Sequence, residues 1–368
     1  MSQPRSSQPQ SSQKDWARSQ LRGAEPILSP SFTPDFAALD EEAIRLDVAN
    51  SIEHGFFSCY ASRAGLDLDE STRMLEVMLD EADGRILVSG TTTGASAEDD
   101  VAFAQRCAEL GCSYIFVSNP RTRDASESDL VAWYRSVIEA TELPVMLYAS
   151  LDPRHPDRGP SGIALDVFDS LADVANVVAI KLTQPMSAAT AFVVCERLAD
   201  RLLVGPVNLD LFPLLAKHYG AQFTGPWNVE AVQSPSHPFV VDFVEACADG
   251  DFERAMRVHD AMEPALRAFF DFQAPIIARG SHPIAHMKYF QWCTGGNGGL
   301  PRDVHAGVPV LTPESRSAIL TSYGSVGIEV DDDGSFLPGR AAHARGVRDD
   351  RVAPNSLYEP GLVAQPIG

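Results

Sequence analysis

The chain has 368 residues, with 29 Lys+Arg against 50 Asp+Glu, a formal charge of -21 and an ordinary apolar fraction of 45%. A balance this negative argues against a nucleic-acid backbone or an anionic membrane surface as partner, because both reward an excess of Lys and Arg. No run approaches the roughly 18 apolar residues a spanning helix needs, and the N-terminus lacks the apolar segment of a secretory signal, so a cytoplasmic protein is expected.

In chain order, residues 1–24 are Ser/Gln/Pro-rich and read as a disordered tail, too poor in apolar side chains to offset ordering entropy. Eight short β-rich runs follow: Ile27–Phe32, Phe56–Tyr60, Arg85–Ser89, Tyr114–Ser118, Pro144–Ser150, Val177–Leu182, Leu202–Val207 and Ala221–Thr224. Between them lie helical stripes. Asp40 precedes Ile44, Val48 and Ile52, with Gly55 closing the helix. Met74, Leu75, Met78 and Leu79 make a second stripe. Ser96 and Asp99 resemble a capping box ahead of Val101 and Ala104, and Leu130, Trp133 and Val137 form a fourth stripe. Strands apolar on both faces that alternate with helices predict a parallel sheet. Eight units over 25–237 predict a (β/α)8 TIM barrel, whose site lies at the carboxyl ends of the strands. A doubly wound sheet would need a Gly-rich first turn, whereas this one reads Ser31-Phe32-Thr33-Pro34-Asp35. Residues 238–329 read as a C-terminal helical appendage, and 330–368 as an irregular tail. The six cysteines form no CxxC pair and sit mostly in apolar runs, as buried free thiols do.

Only Lys14, Lys181, Lys217 and Lys288 are lysines, and Lys181 is the informative one. It follows Val177-Val178-Ala179-Ile180 at the end of a buried strand. Desolvation there lowers an amine's pKa and frees a neutral nucleophile able to form a Schiff base with a carbonyl. The alternative is a lysine ion-paired with a carboxylate. Tyr148 ends the apolar run Pro144-Val145-Met146-Leu147, again at the carboxyl end of a strand, and its phenol suits proton transfer at a carbinolamine oxygen.

The order Pro144–Tyr148 and then Val178-Ala179-Ile180-Lys181 resembles the dihydrodipicolinate synthase / N-acetylneuraminate lyase family over about residues 26–328. The resemblance implies a class I aldolase, lyase or dehydratase acting on a 2-oxo acid, with Lys181 as the Schiff-base lysine and Tyr148 as proton shuttle. It implies no cofactor and no metal. Partners are an oxo-acid or carbonyl substrate and further copies of the chain, as a dimer or tetramer. The family's second strand normally ends in Gly-Thr-Thr-Gly-Glu; here the position in register is Tyr60-Ala61-Ser62-Arg63-Ala64, so Ser62 and Arg63 are expected to hold the substrate carboxylate. Gly90-Thr91-Thr92-Thr93-Gly94 follows the third strand and is a look-alike, either a plain turn or a phosphate nest. After the fourth strand Arg121 stands where the family often carries a Tyr, and Arg154 lies in the loop beyond Tyr148; both are candidates for binding an anionic substrate. Thr183, Gly205 and Thr224 complete the expected substrate-binding set, with Thr224-Gly225-Pro226-Trp227-Asn228 lining the pocket. His282 and His286 have helical ligand spacing, but Pro283 lies between them and no HExxH frame is present. Two other readings stand beside the lyase: a barrel without turnover that binds oxo acids or serves assembly, and a metal-dependent barrel hydrolase.

Overall fold

The structure, a computed structural model, describes residues 12–121, 125–150, 159, 162–183, 187–225, 229–277, 283–302, 309–330 and 332–358. Its strands are β1 (Gly23–Ala24), β2 (Ile27–Leu28), β3 (Ser58–Ala61), β4 (Leu87–Thr91), β5 (Tyr114–Val117), β6 (Val145–Ser150), β7 (Val177–Thr183), β8 (Leu203–Pro206) and β9 (Phe223–Thr224). The helices are α1 (Gln13–Gln20), α2 (Glu41–Glu53), α3 (Leu68–Ala82), α4 (Ala97–Leu110), α5 (Glu127–Ile138), α6 (Leu165–Leu171), α7 (Ala188–Leu198), α8 (Phe212–Tyr219), α9 (Phe239–Ala248), α10 (Phe252–Ile277), α11 (Ile284–Cys293), α12 (Pro313–Ser325) and α13 (Arg340–Ala344).

Local chemistry starts and stops these helices where the sequence places the signals. The side chains of Asp40, Ser96 and Ser126 accept from the backbone N–H groups of Ala43, Asp99 and Asp129, and Gly111 ends α4 in the left-handed conformation. Strands β2 to β8 pair in parallel in chain order. The two ends of this curled sheet meet through β1 and β9, which pair with each other. The Phe57 N–H donates to Ala24 O at 3.1 Å, tying β1 to the segment entering β3. On the other side Thr224 Oγ1 donates to Pro206 O at 2.7 Å, tying β9 to β8. The first strand of the barrel is thus broken at Glu25-Pro26, where proline has no N–H for the ladder.

Two cores result. One fills the space between the strands and helices, with Val145, Val177, Ile180 and Leu182 among its members; the other fills the barrel with Tyr60, Tyr114, Phe116, Met146, Ala179 and Phe223. Of the N-terminal segment expected to be disordered, the described residues 12–24 are ordered. Ser12 and Asp15 form a capping box that starts α1, and Ala17 and Leu21 are wholly buried against the barrel-interior side chains. Trp16 lies 6.4 Å from Tyr114, ring to ring. A few apolar residues suffice because they plug a preformed opening instead of building a core of their own.

The C-terminal helices pack on the first barrel strand. Lys288 of α11 donates to Ser31 Oγ at 2.7 Å and pairs with Asp47 at 3.3 Å, and Gln291 Nε2 donates to Ile27 O at 2.6 Å. The stretch beyond Val330, expected to be irregular, holds α13 and a 3-10 turn at Asp349–Arg351. It is anchored by Arg345 to Asp40 and Glu42 and by buried Phe336 and Leu357. All six cysteines are buried and free. Among the described residues no helix is long and apolar enough to cross a membrane.

Candidate active site

Lys181 reaches the barrel interior because β7 carries a bulge. Val145 pairs with Val177, but the next residue, Met146, pairs with Ala179, so Val178 is the extra residue. Val177 faces the helices, whereas Ala179, two residues on, faces the interior. An unbroken strand would keep both on one side; the extra residue inverts the alternation and turns Lys181 inward. From there the register is regular, with Tyr148 opposite Lys181 and Ser150 opposite Thr183, and Lys181 opposite Gly205 on β8.

The amine is 0% exposed. Its Nζ lies 3.4 Å from Tyr60 Oη, and three rings surround it: Tyr148 at 5.0 Å, Tyr60 at 5.3 Å and Phe116 at 5.8 Å from their centroids. Gly225, just past β9, makes the room; a Cβ there would stand 2.6 Å from Lys181 Cε. Burial lowers the Lys181 pKa to about 8, against the opposing pull of Glu25 and Glu230. Burial also pushes the Tyr60 phenol well up, with Tyr148 and Glu25 adding to it, so that phenol is protonated at neutral pH. The site therefore offers a largely dehydrated amine with a usable neutral fraction and two phenols beside it.

The remaining expected residues divide. Thr183 is buried two residues beyond Lys181, and its Oγ1 has no partner among the described residues. Ser62 lies just past β3, its Oγ accepting from the Ala64 N–H at 3.3 Å. Arg63 is turned away from a substrate role: it is held by Asp99 at 2.8 and 3.2 Å and by Ser71 at 3.0 Å, with its guanidinium 4.2 Å over the Phe103 ring. Arg121 is exposed and donates to Thr93 O at 3.1 Å. Gly205 admits the Phe223 ring, which a Cβ would meet at 2.1 Å, and the Thr224 hydroxyl is spent on Pro206. The nest after the third barrel strand is filled by the chain itself, because the Thr93 and Gly94 N–H groups donate to Asp100 at 2.8 and 2.9 Å. Arg154, Pro226, Trp227, Asn228 and His282 lie outside the described residues.

Tyr60 was absent from the expected site, although it ends its predicted strand as Tyr148 does, and the same reasoning applies to it. Glu25 gave a fainter signal, a lone carboxylate beside a strand-forming run.

A curled parallel sheet wrapped by helices, its ends bridged by the β1/β9 pair, with one amine directed inward from a strand's carboxyl half, defines a lysine-bearing α/β barrel fold. Residues 33–279 match the dihydrodipicolinate synthetase family, and the chain belongs to it. It is 27% identical over 275 residues to a 4-hydroxy-tetrahydrodipicolinate synthase of Methanothrix thermoacetophila, covering 73% of this chain and 88% of that protein. The dihydrodipicolinate synthase from Aquifex aeolicus superposes with a TM-score of 0.68 at 19% identity, over 84% of this chain and 100% of that one. YagE, a prophage protein of the dihydrodipicolinic acid synthase family from E. coli, solved with pyruvate, gives 0.65 at 19% identity, over 84% and 99%.

Proposed function

We propose that the protein is a class I, Schiff-base-forming lyase acting on a 2-oxo acid such as pyruvate or a hydroxy-oxo acid. The observation that carries this reading is Lys181, wholly buried with its nitrogen 3.4 Å from Tyr60 Oη and 5.0 Å from the centre of the Tyr148 ring. The neutral Nζ adds to the substrate carbonyl carbon, and the carbonyl oxygen leaves as water, carrying one amine proton and one proton delivered through Tyr148, to give the iminium cation. That cation accepts the electron pair released when a C–C bond breaks or when a proton leaves the adjacent carbon; the enamine so formed can push the pair back out to expel a protonated β-hydroxyl as water, which regenerates an iminium. Tyr148 moves the protons, and Tyr60 orients the amine. Ser62 and Thr183 hold the substrate's oxygen atoms, with Arg121 available to an anionic group at the mouth. Arg63, Gly205 and Thr224 shape this site from behind.

The test is exchange of the pyruvate methyl protons in D2O, followed by NMR. Wild type should exchange them, Lys181→Met should not, and Tyr148→Phe should be slower by about 100-fold. No exchange by wild type across a panel of oxo acids would overturn the reading and favour a barrel that binds without turnover.

A further inference from the structure

One pleat below Lys181, toward the amino ends of the strands, the barrel interior holds a polar cluster. Tyr60 and Phe116 supply rings that face the Lys181 nitrogen. Two residues earlier on the same strands sit Ser58 and Tyr114, whose hydroxyls are 2.7 Å apart. Tyr114 Oη donates in turn to Oε2 of Glu25. Glu25 sits at the break between β1 and β2, its N–H donating to Thr224 O at 3.1 Å, and it is 0% exposed. Its other carboxylate oxygen has no partner among the described residues. A buried carboxylate costs several kcal/mol unless it is compensated, and an apolar side chain would satisfy the packing here without that penalty. Three strands thus converge on an acid that α1 seals from solvent below and Lys181 closes from above.

We propose that Glu25 is a positioning residue for imine formation: a carboxylate held beneath the catalytic layer that steadies the Lys181 cation, both as ammonium and as the iminium that replaces it. The part of this concerning the iminium rests on reading Lys181 as the imine-forming amine; the coupling to the ammonium does not. The charged and titratable groups around the pair are few. Lys181 lies beside Tyr60 and Tyr148 and within the electrostatic reach of Glu25 and Glu230; Glu25 is bonded to Tyr114 and within the reach of Lys181 and Glu230, with Cys59 nearby. Glu230, whose Oε1 accepts from the Ile27 N–H at 3.1 Å, also draws the Lys181 pKa up, so the Glu25 variants isolate the share that belongs to Glu25. Burial raises Glu25 to about 7, countered by Tyr114 and Lys181. Tyr114 is the strongest of the groups drawing it back down, so the carboxyl is about half ionised at pH 7 and mostly ionised where Lys181 titrates, near 8.

With only four lysines in the chain, each amine can be followed separately. The experiment is a pH titration of the lysine ¹³Cε signals in uniformly labelled full-length protein, with the Lys181 signal assigned by its disappearance in Lys181→Met. In Glu25→Gln the Lys181 midpoint should fall by about one pH unit, a tenfold change in proton affinity. Tyr114→Phe should lower it less, by letting Glu25 neutralise, and Glu25→Asp should return it toward wild type because the charge is restored. The midpoints of the other three lysines should not move. A Lys181 midpoint unchanged in Glu25→Gln overturns the proposal, and if that variant does not fold, an unchanged midpoint in Tyr114→Phe does so. Because this titration needs no substrate, a wild type that forms no adduct would remove the lyase reading, whereas an unmoved midpoint would remove only the role of Glu25.

Discussion

An amine sealed inside a barrel is held there against its own hydration. The Lys181 value of about 8 lies below the ordinary 10.5, so between those values the unfolded chain binds the extra proton. The sign follows: the penalty is fully present below about pH 8 and disappears as pH rises toward the unfolded value. That difference corresponds to about 3 kcal/mol, reduced by what Glu25 loses when its partner goes. Lys181→Met should therefore be inactive and yet more stable than wild type near neutral pH, by about 1–3 kcal/mol in urea unfolding, with the gain shrinking near pH 10. Arg63 makes the opposite case. Its guanidinium is paired with Asp99 and lies 3.8 Å from Asp100, so Arg63→Met strands buried charge instead of emptying a substrate site. It should cost about 3 kcal/mol of stability while leaving KM within about twofold of wild type. A raised KM with unaltered stability would return Arg63 to the carboxylate-binding role its position suggested.

At the scale of elements, the apolar runs at Tyr114–Val117, Val145–Ser150 and Val177–Thr183 were legible because strands buried on both faces need no alternation. That same uniformity hides direction. Nothing in Val177-Val178-Ala179-Ile180-Lys181 distinguishes a lysine pointing into the barrel from one pointing under the helices, and the bulge at Val178 decides it. The carboxylate at Glu25 was hidden differently, since the phenol it bonds, Tyr114, is 89 positions away in sequence and only the curling of the sheet brings them together. The helix α1 escaped because two buried side chains do not make a periodic stripe. Gly225 shows how a neighbouring element reserves space for the amine. Gly225→Ala places a methyl group 2.6 Å from Lys181 Cε, at a backbone position without a positive φ. Imine formation should fall at least about tenfold while the fold persists, because the flexible lysine stem yields before the strand does. Rates equal to wild type would mean that Lys181 works from another rotamer.

For the whole molecule, the charge of -21 and the buried cation describe different scales. The net charge sets which surfaces the protein avoids, while the field at the buried Lys181 amine is set locally by the carboxylates of Glu25 and Glu230 and the rings beside it. The C-terminal helices belong to the same design. Through Lys288, Gln291 and Tyr323 they grip the first barrel strand and the Glu230 backbone, stiffening the side of the barrel where the strand is broken. The pH dependence follows from the interior. The rate of imine formation should rise about tenfold per pH unit below pH 8 and level off above it, as the neutral amine becomes the majority form.

The measurement that bears most directly on this account is borohydride reduction in the presence of pyruvate and other oxo acids, followed by peptide mass mapping. Three of the four lysines serve as internal controls. A stable adduct confined to the peptide carrying Lys181 is the predicted result. An adduct distributed over Lys14, Lys217 and Lys288, or no adduct with any oxo acid while the protein remains folded, would contradict it.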